Sequence, residues 1–180
     1  MSAKAFLKKY LISPLSIGSV VPSSKHVGMA FAKNIDLSKD GVILEIGAGT
    51  GTITKSLIDC GIPRNRIVCL EIEEAFCDLL RKRFNGVEVI CSDILNLREL
   101  VHKIGKINCF VSTLPFISLG KDQTDKILNI LKPFVDSGTT YLQMSYSPFF
   151  VGKSRKRGLQ TKRCGYVWKN FPPAYIYKSI

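Results

Sequence analysis

Acid is scarce in this 180-residue chain: 14 Asp and Glu stand against 26 Lys and Arg, a formal net charge of +12. The shortage is uneven. Val151 to Ile180 holds Lys153, Arg155, Lys156, Arg157, Lys162, Arg163, Lys169 and Lys178 and no acid, so eight of the twelve net charges fall in the last sixth. Such a surplus favours polyanionic partners, either nucleic acid or an anionic lipid surface. The six cysteines, Cys60, Cys69, Cys77, Cys91, Cys109 and Cys164, include no C-x-x-C pair and no companion histidines at ligand spacing. That argues against a structural metal, and none is expected. Cys69, Cys91 and Cys109 fall inside predicted buried strands, as small core hydrophobes in a reducing compartment. No apolar run approaches the length of a transmembrane helix, and the N-terminus lacks the uninterrupted apolar stretch of a signal peptide, so a cytoplasmic protein is expected. With 46% apolar and 22% charged residues the composition is ordinary for a globular protein and argues against long disorder. Its length suits one domain with a full core, expected over residues 1–180, and is too short for two.

What is present is organised around Val42 to Lys55, Val-Ile-Leu-Glu-Ile-Gly-Ala-Gly-Thr-Gly-Thr-Ile-Thr-Lys. The β-branched run reads as a buried parallel strand, and Gly47, Gly49 and Gly51 permit a tight turn into a helix. Bare backbone and the free N–H groups of a helix N-terminus suit a nucleoside ligand. The spacing is G-x-G-x-G, not the G-x-G-x-x-G of dinucleotide sites, and the acid Glu45 stands two residues ahead of it. Glu45 at a strand end is suited to the cationic amino group of an aminoacid-bearing cofactor. Strands and helices then alternate: helix about Thr50 to Cys60, strand Arg66 to Leu70 closing in Glu71, helix about Glu73 to Phe84, strand Val87 to Cys91 leading into Ser92-Asp93-Ile94. A short helix follows at about Leu97 to Lys103, then strand Ile107 to Ser112, helix Lys121 to Lys132 and strand Thr139 to Ser145. This alternation implies a doubly wound, mostly parallel α/β sheet. From Phe149 on it stops; a basic loop precedes two strand-like runs near Gly165 to Lys169 and Ala174 to Tyr177. Glu45, Glu71 and Asp93 each close a predicted strand, where ligand sites of open α/β sheets lie.

Before the first strand, Ala3, Phe6, Leu7, Tyr10 and Leu11 recur on one helical face with Lys4, Lys8 and Lys9 on its flanks. Two readings stand: a first helix packed on the domain, or an interfacial helix laid on anionic lipid through Lys4, Phe6, Leu7, Lys8, Lys9 and Leu11. Ser13 to Ser24 reads as a loop, and Ser23 or Ser24 as the cap of a helix carrying Val27, Ala30 and Phe31.

The glycine loop resembles motif I of the class I S-adenosylmethionine-dependent methyltransferases, a Rossmann-like family with a seven-stranded sheet completed by an antiparallel hairpin. The resemblance implies S-adenosylmethionine as cofactor. Glu45, Gly47, Gly49 and Gly51 would form the turn around it, Glu71 with Ile72 would meet its ribose, and Asp93 with Ile94 its adenine. Ser112-Thr113-Leu114-Pro115-Phe116 resembles motif IV of amine-directed members and the N-L-P-Y turn of ribosomal RNA adenine dimethyltransferases, with Ser112 or Thr113 where those have Asn. There a side chain and the Leu114 carbonyl would accept from the substrate nitrogen while Phe116 packs on it.

Pro14 to Ser24, the Ser112 to Phe116 turn, Tyr146-Ser-Pro148 and Lys162 to Ala174 together resemble the soluble bacterial phospholipid N-methyltransferases, which methylate phosphatidylethanolamine towards phosphatidylcholine. The resemblance implies a peripheral enzyme on the inner face of the cytoplasmic membrane, acting on an anionic surface, with RNA ranked behind lipid as substrate and a non-catalytic cofactor-binding membrane or nucleic-acid binder as a third reading; a monomer is expected. Tyr146 would position the amine or relay its proton. Phe116, Tyr146 and Trp168 would surround the methylated ammonium by cation–π contact. Lys162 and Arg163 would meet the lipid phosphate, or else form a solvated basic face; Trp168 would alternatively be core.

Overall fold

The computed structural model describes residues 24–116 and 118–180. The amphipathic segment with Lys4, Phe6, Leu7, Lys8, Lys9 and Leu11 therefore lies outside the described residues, as does nearly all of the Ser13 to Ser24 loop. Among the described residues seven strands form one sheet: β1 (Val42–Ile46), β2 (Ile67–Glu71), β3 (Glu88–Cys91), β4 (Ile107–Ser112), β5 (Thr140–Ser145), β6 (Thr161–Val167) and β7 (Ala174–Ser179). Their order is β3-β2-β1-β4-β5-β7-β6, with β1 to β5 mutually parallel, β7 antiparallel to β5, and β6 antiparallel to β7. Two reversals leave β6 running in the direction of β5, so its last residue, Val167, reaches the edge of the sheet at which β1 to β5 end. The expected mostly parallel, Rossmann-like sheet with its closing hairpin is the observed one.

The helices are α1 (Lys25–Ala32), α2 (Thr52–Asp59), α3 (Glu74–Arg83), α4 (Leu97–Ile104), α5 (Lys121–Asp136) and α6 (Phe150–Arg155). Because side chains alternate across a strand, the sheet has two cores. Ile43 faces Val27, Phe31, Ile53 and Leu57 of α1 and α2, and Leu80 of α3. Leu44 and Ile46 face Leu97, Leu128 and Leu131 of α4 and α5. Burial on both faces explains why the central strands read as continuous apolar runs. The α1–α2 contact is close because Gly28 lies against Ser56: a Cβ on Gly28 would stand 2.2 Å from the Ser56 Cβ.

Four expectations need correcting. Among the described residues β3 has a neighbour on one side only, so Cys91 is exposed where burial was expected. Pro133 does not end α5. Its missing N–H would have bonded the carbonyl of Asn129, an exposed position, while the following turn buries Val135 and sets Phe134 edge-to-face on Phe110 at 5.5 Å. The basic segment after Phe149 folds as α6 because Phe150 plugs the core, 5.8 Å from Phe116 and 5.2 Å from Tyr177 between ring centroids. Ser24 stands at the N-cap of α1 without a side-chain cap bond; its backbone N–H instead donates to Asn170 Oδ1 at 2.9 Å.

Candidate functional site: a cavity at the carboxyl ends of four strands

Beyond the ends of β1, β2, β3 and β4 lies a cavity of about 60 Å³, well short of the roughly 300–1,000 Å³ typical of small-molecule sites. Gly47 closes its β1 side, Glu71 and Ile72 its β2 side, Ser92, Asp93, Ile94 and Leu95 its β3 side, and Thr113, Leu114 and Pro115 its β4 side. Gln123 and Ile127 of α5 form the remaining wall.

Each acid is held differently. Asp93 uses Oδ1 to accept from Leu95 N at 3.0 Å, opening the short 3-10 turn Ile94–Asn96. Among the described residues its second oxygen has no protein donor, so it remains for a ligand amine. Glu71 is buried and clamps the glycine loop: Oε2 accepts from Gly49 N at 2.8 Å, and Oε1 from Ile72 N at 2.8 Å and Glu73 N at 3.0 Å. Three of its roughly four acceptor sites are thus committed, and a ribose hydroxyl would take the fourth or displace Gly49. Glu45 does not line the cavity. Its strand phase is that of Ile43, so the carboxyl lies under α2, where Oε2 accepts from Thr54 Oγ1 at 2.7 Å. Burial, opposed by the Thr54 bond and reinforced by the Glu71 charge, pushes its pKa from 4.5 up to about 8.

The three glycines divide their work. Gly47, at φ +73°, faces the cavity, and a Cβ there would meet Leu114 Cδ2 at 3.0 Å. Gly49 donates to Glu71. Gly51 serves packing and lies away from the cavity: a Cβ would stand 2.3 Å from Phe84 Cε2 and 2.8 Å from Leu80 Cδ2, both of which pack at the C-terminal end of α3.

At the β4 turn the hydroxyl that faces the cavity is Thr113. Ser112 is buried; its Oγ accepts from Leu114 N at 3.2 Å and hydrogen-bonds Tyr141. The Leu114 carbonyl is held by a residue that sequence reasoning missed: Gln143 Nε2 donates to it at 3.0 Å and to the Met144 carbonyl at 2.5 Å, while Gln143 Oε1 accepts from Tyr141 Oη at 2.5 Å. A polar residue at the centre of an otherwise apolar strand was the available signal. Phe116 does not form an open aromatic wall, because its ring stacks on Phe150 in the core. Tyr146 is half-buried beyond β5, its hydroxyl bonded to the Asn170 side chain, and burial raises its pKa. Trp168 is neither core nor cavity wall but exposed on the β6–β7 turn. Lys162 and Arg163 are exposed near the start of β6, roughly 13–17 Å short of the cavity edge at about 3.3 Å per residue, and Arg163 lies 5.7 Å over the Tyr175 ring. Lys169, by contrast, stands at that edge, on the turn that follows β6.

This donor set fits an adenosine-bearing cofactor: an acid at the end of β2 for hydroxyls, an acid with a free oxygen after β3 for an amine, and Ile72 and Ile94 beside a flat ring. Among solved structures, fibrillarin from Aeropyrum pernix with bound S-adenosyl-L-methionine shares the fold, at TM-score 0.61 and 17% identity over 87% of this chain and 74% of that one. An ornithine lipid N-methyltransferase of Singulisphaera acidiphila is 29% identical over 96% of this chain and 92% of its own length. A ribosomal RNA small subunit methyltransferase A of Thermotoga neapolitana is 32% identical over 67% of this chain, but the match spans 45% of that protein. The profile of the ribosomal RNA adenine dimethylase family matches residues 18–145. That match takes in the glycine loop, the acids after β2 and β3 and the Leu114 turn, and so this chain belongs to the ribosomal RNA adenine dimethylase family of S-adenosylmethionine-dependent methyltransferases.

Proposed function

We propose that this chain methylates the primary amine of a membrane lipid head group, with phosphatidylethanolamine, converted towards phosphatidylcholine, as the substrate its end segments favour. The observation that carries this reading is the end-to-end match to a lipid N-methyltransferase, which extends through the β6–β7 hairpin beyond residue 145, where the family profile stops. The protein would work as a peripheral enzyme on the cytoplasmic side of an anionic membrane.

The site supports the chemistry. Methyl transfer from a sulfonium is an in-line displacement, so the protein's part is to align a neutral nitrogen. The amine must shed its proton first, which desolvation beside a cation promotes. Leu114 O accepts from Gln143 Nε2 and from Phe116 N, each at 3.0 Å, so a substrate N–H accepted there would take the place of the Phe116 bond. Thr113 Oγ1 offers a further acceptor on the same cavity wall.

The second reading, methylation of an RNA adenine, is favoured by the family profile and by the small-subunit methyltransferase relatives. Incubation of the purified protein with methyl-labelled cofactor and either phosphatidylethanolamine liposomes or ribosomal RNA separates the two. Label in the lipid fraction is expected; label in RNA alone would reverse the assignment.

A further inference from the structure

Among the described residues, the three most exposed large apolar side chains are Phe171 (81%), Phe149 (76%) and Trp168 (69%). All three stand on loops at one edge of the sheet. Phe149 follows β5, and Trp168 and Phe171 sit on the turn between β6 and β7; Val167 pairs with Ala174, and Ser145 with Tyr175, at the edge of the sheet where the cavity opens. The two loops are joined: Tyr177 Oη donates to Ser147 O at 2.9 Å, and the Tyr146 hydroxyl bonds Asn170. Single exposed apolar residues are ordinary, but three aromatics gathered on adjacent loops mark a contact surface.

The bases of these loops are hydrogen-bonded into the fold while the rings are exposed. Asn170, between Trp168 and Phe171, is 2% exposed; it accepts from Ser24 N at 2.9 Å and donates to Pro172 O at 2.7 Å. The surrounding charge has one sign. Lys169 Nζ lies 5.3 Å over the Trp168 ring, Lys153, Arg155 and Lys156 are exposed on and after α6, and residues 146–180 contain no acid. Amphipathic aromatics ringed by cations match the head-group layer of an anionic bilayer, where Trp is enriched and each near-surface Lys or Arg adds attraction.

We propose that Phe149, Trp168 and Phe171 insert into the interfacial layer of an anionic bilayer, with Lys169 and Lys153 at phosphate level, so that the cavity edge faces the membrane. The choice of bilayer over nucleic acid rests on the lipid-amine reading above. A lipid amine then enters from below without leaving its leaflet.

Trp168 is the only tryptophan of the chain and reports its own environment. The full-length protein is titrated with vesicles of phosphatidylglycerol and phosphatidylethanolamine. The expected result is a blue shift of emission, quenching by lipids brominated high on the acyl chain, and at least a tenfold weaker partition for the double variant Phe149→Ser/Phe171→Ser, which keeps the reporter. Urea unfolding of the variant with an unchanged midpoint excludes misfolding as the cause. Sedimentation with vesicles while Trp168 emission stays put would overturn the surface, as would a shift caused by RNA and not by vesicles. Methyl transfer to phosphatidylethanolamine in detergent micelles with an unmoved Trp168 would sink the surface and leave the lipid-amine reading standing. Insertion with no transfer to any lipid amine would do the reverse.

Discussion

Removing Gln143 tests whether the Leu114 carbonyl is a positioned group. Gln143 is buried at the centre of β5, and its amide satisfies three partners at once: the Leu114 and Met144 carbonyls and the Tyr141 hydroxyl. Burial pushes the Tyr141 phenol up, so it stays a donor at any working pH. In Gln143→Leu, Leu114 O keeps its bond from Phe116 N and Tyr141 keeps Ser112, so what is lost is the three Gln143 bonds themselves, each worth about 0.5–1.5 kcal/mol net. A fall of roughly 1.5–4.5 kcal/mol in unfolding free energy is therefore expected. Gln143→Glu separates stability from function. It keeps an acceptor for Tyr141 but, when ionised, aims a second oxygen at two carbonyls and drives the Leu114 turn away. A displacement near 1 Å at a positioning group costs on the order of 100-fold in turnover. Cofactor affinity should hardly change, because Glu71, Asp93 and Ile94 stand on other strands. Single-turnover methyl transfer at saturating cofactor, beside calorimetry for binding, reads both quantities. A folded Gln143→Glu protein with turnover within twofold of the parent, or with cofactor affinity falling in step with turnover, would refute the argument.

Three further outcomes follow from the geometry. Glu45 in the fold titrates near 8, above its ordinary 4.5, so between those values the native state holds a proton the unfolded chain has released, and stability falls as pH rises through that window. Glu45→Gln removes this slope: its stability relative to the parent should grow by an amount on the order of a few kcal/mol between pH 5 and 8.5, and parallel urea midpoints across that range would contradict the burial argument. Asp93→Ala should weaken S-adenosylmethionine by roughly 1.5–3 kcal/mol, the worth of a charge-assisted hydrogen bond, with Asp93→Asn intermediate; titration calorimetry showing parental affinity would remove Asp93 from the site. The glycines should separate by phenotype. Gly47→Val narrows the cavity and pushes Leu114, so it acts on binding, whereas Gly51→Ala collides with Phe84 and Leu80 and acts on the unfolding midpoint; the opposite pattern would mean their roles are exchanged.

The frame of this molecule was legible because it rests on local rules. An apolar strand, glycines at positive φ, and an acid after β2 and β3 are sequence-adjacent features, and the structure sets Glu71, Ile72, Asp93 and Ile94 around one cavity as their spacing suggests. What was not legible depends on the phase of a side chain relative to the sheet, or on contacts between distant segments. Glu45 and Ile46 are neighbours in sequence, yet strand alternation sends one under α2 and leaves the other on the cavity wall. Likewise Ser112 turns into the core and Thr113 to the cavity. Phe116 looked like an open aromatic until Phe150, thirty-four residues later, stacked on it. Gln143, Tyr141 and the Leu114 carbonyl form a unit that no short motif contains, because it is made by the parallel pairing of β4 with β5. Asn170 makes the same point at the outer edge. Its value lies in joining Ser24, Tyr146 and Pro172, three segments that only the antiparallel hairpin brings together, and the result is to hold Trp168 and Phe171 out from the fold instead of letting them collapse onto it.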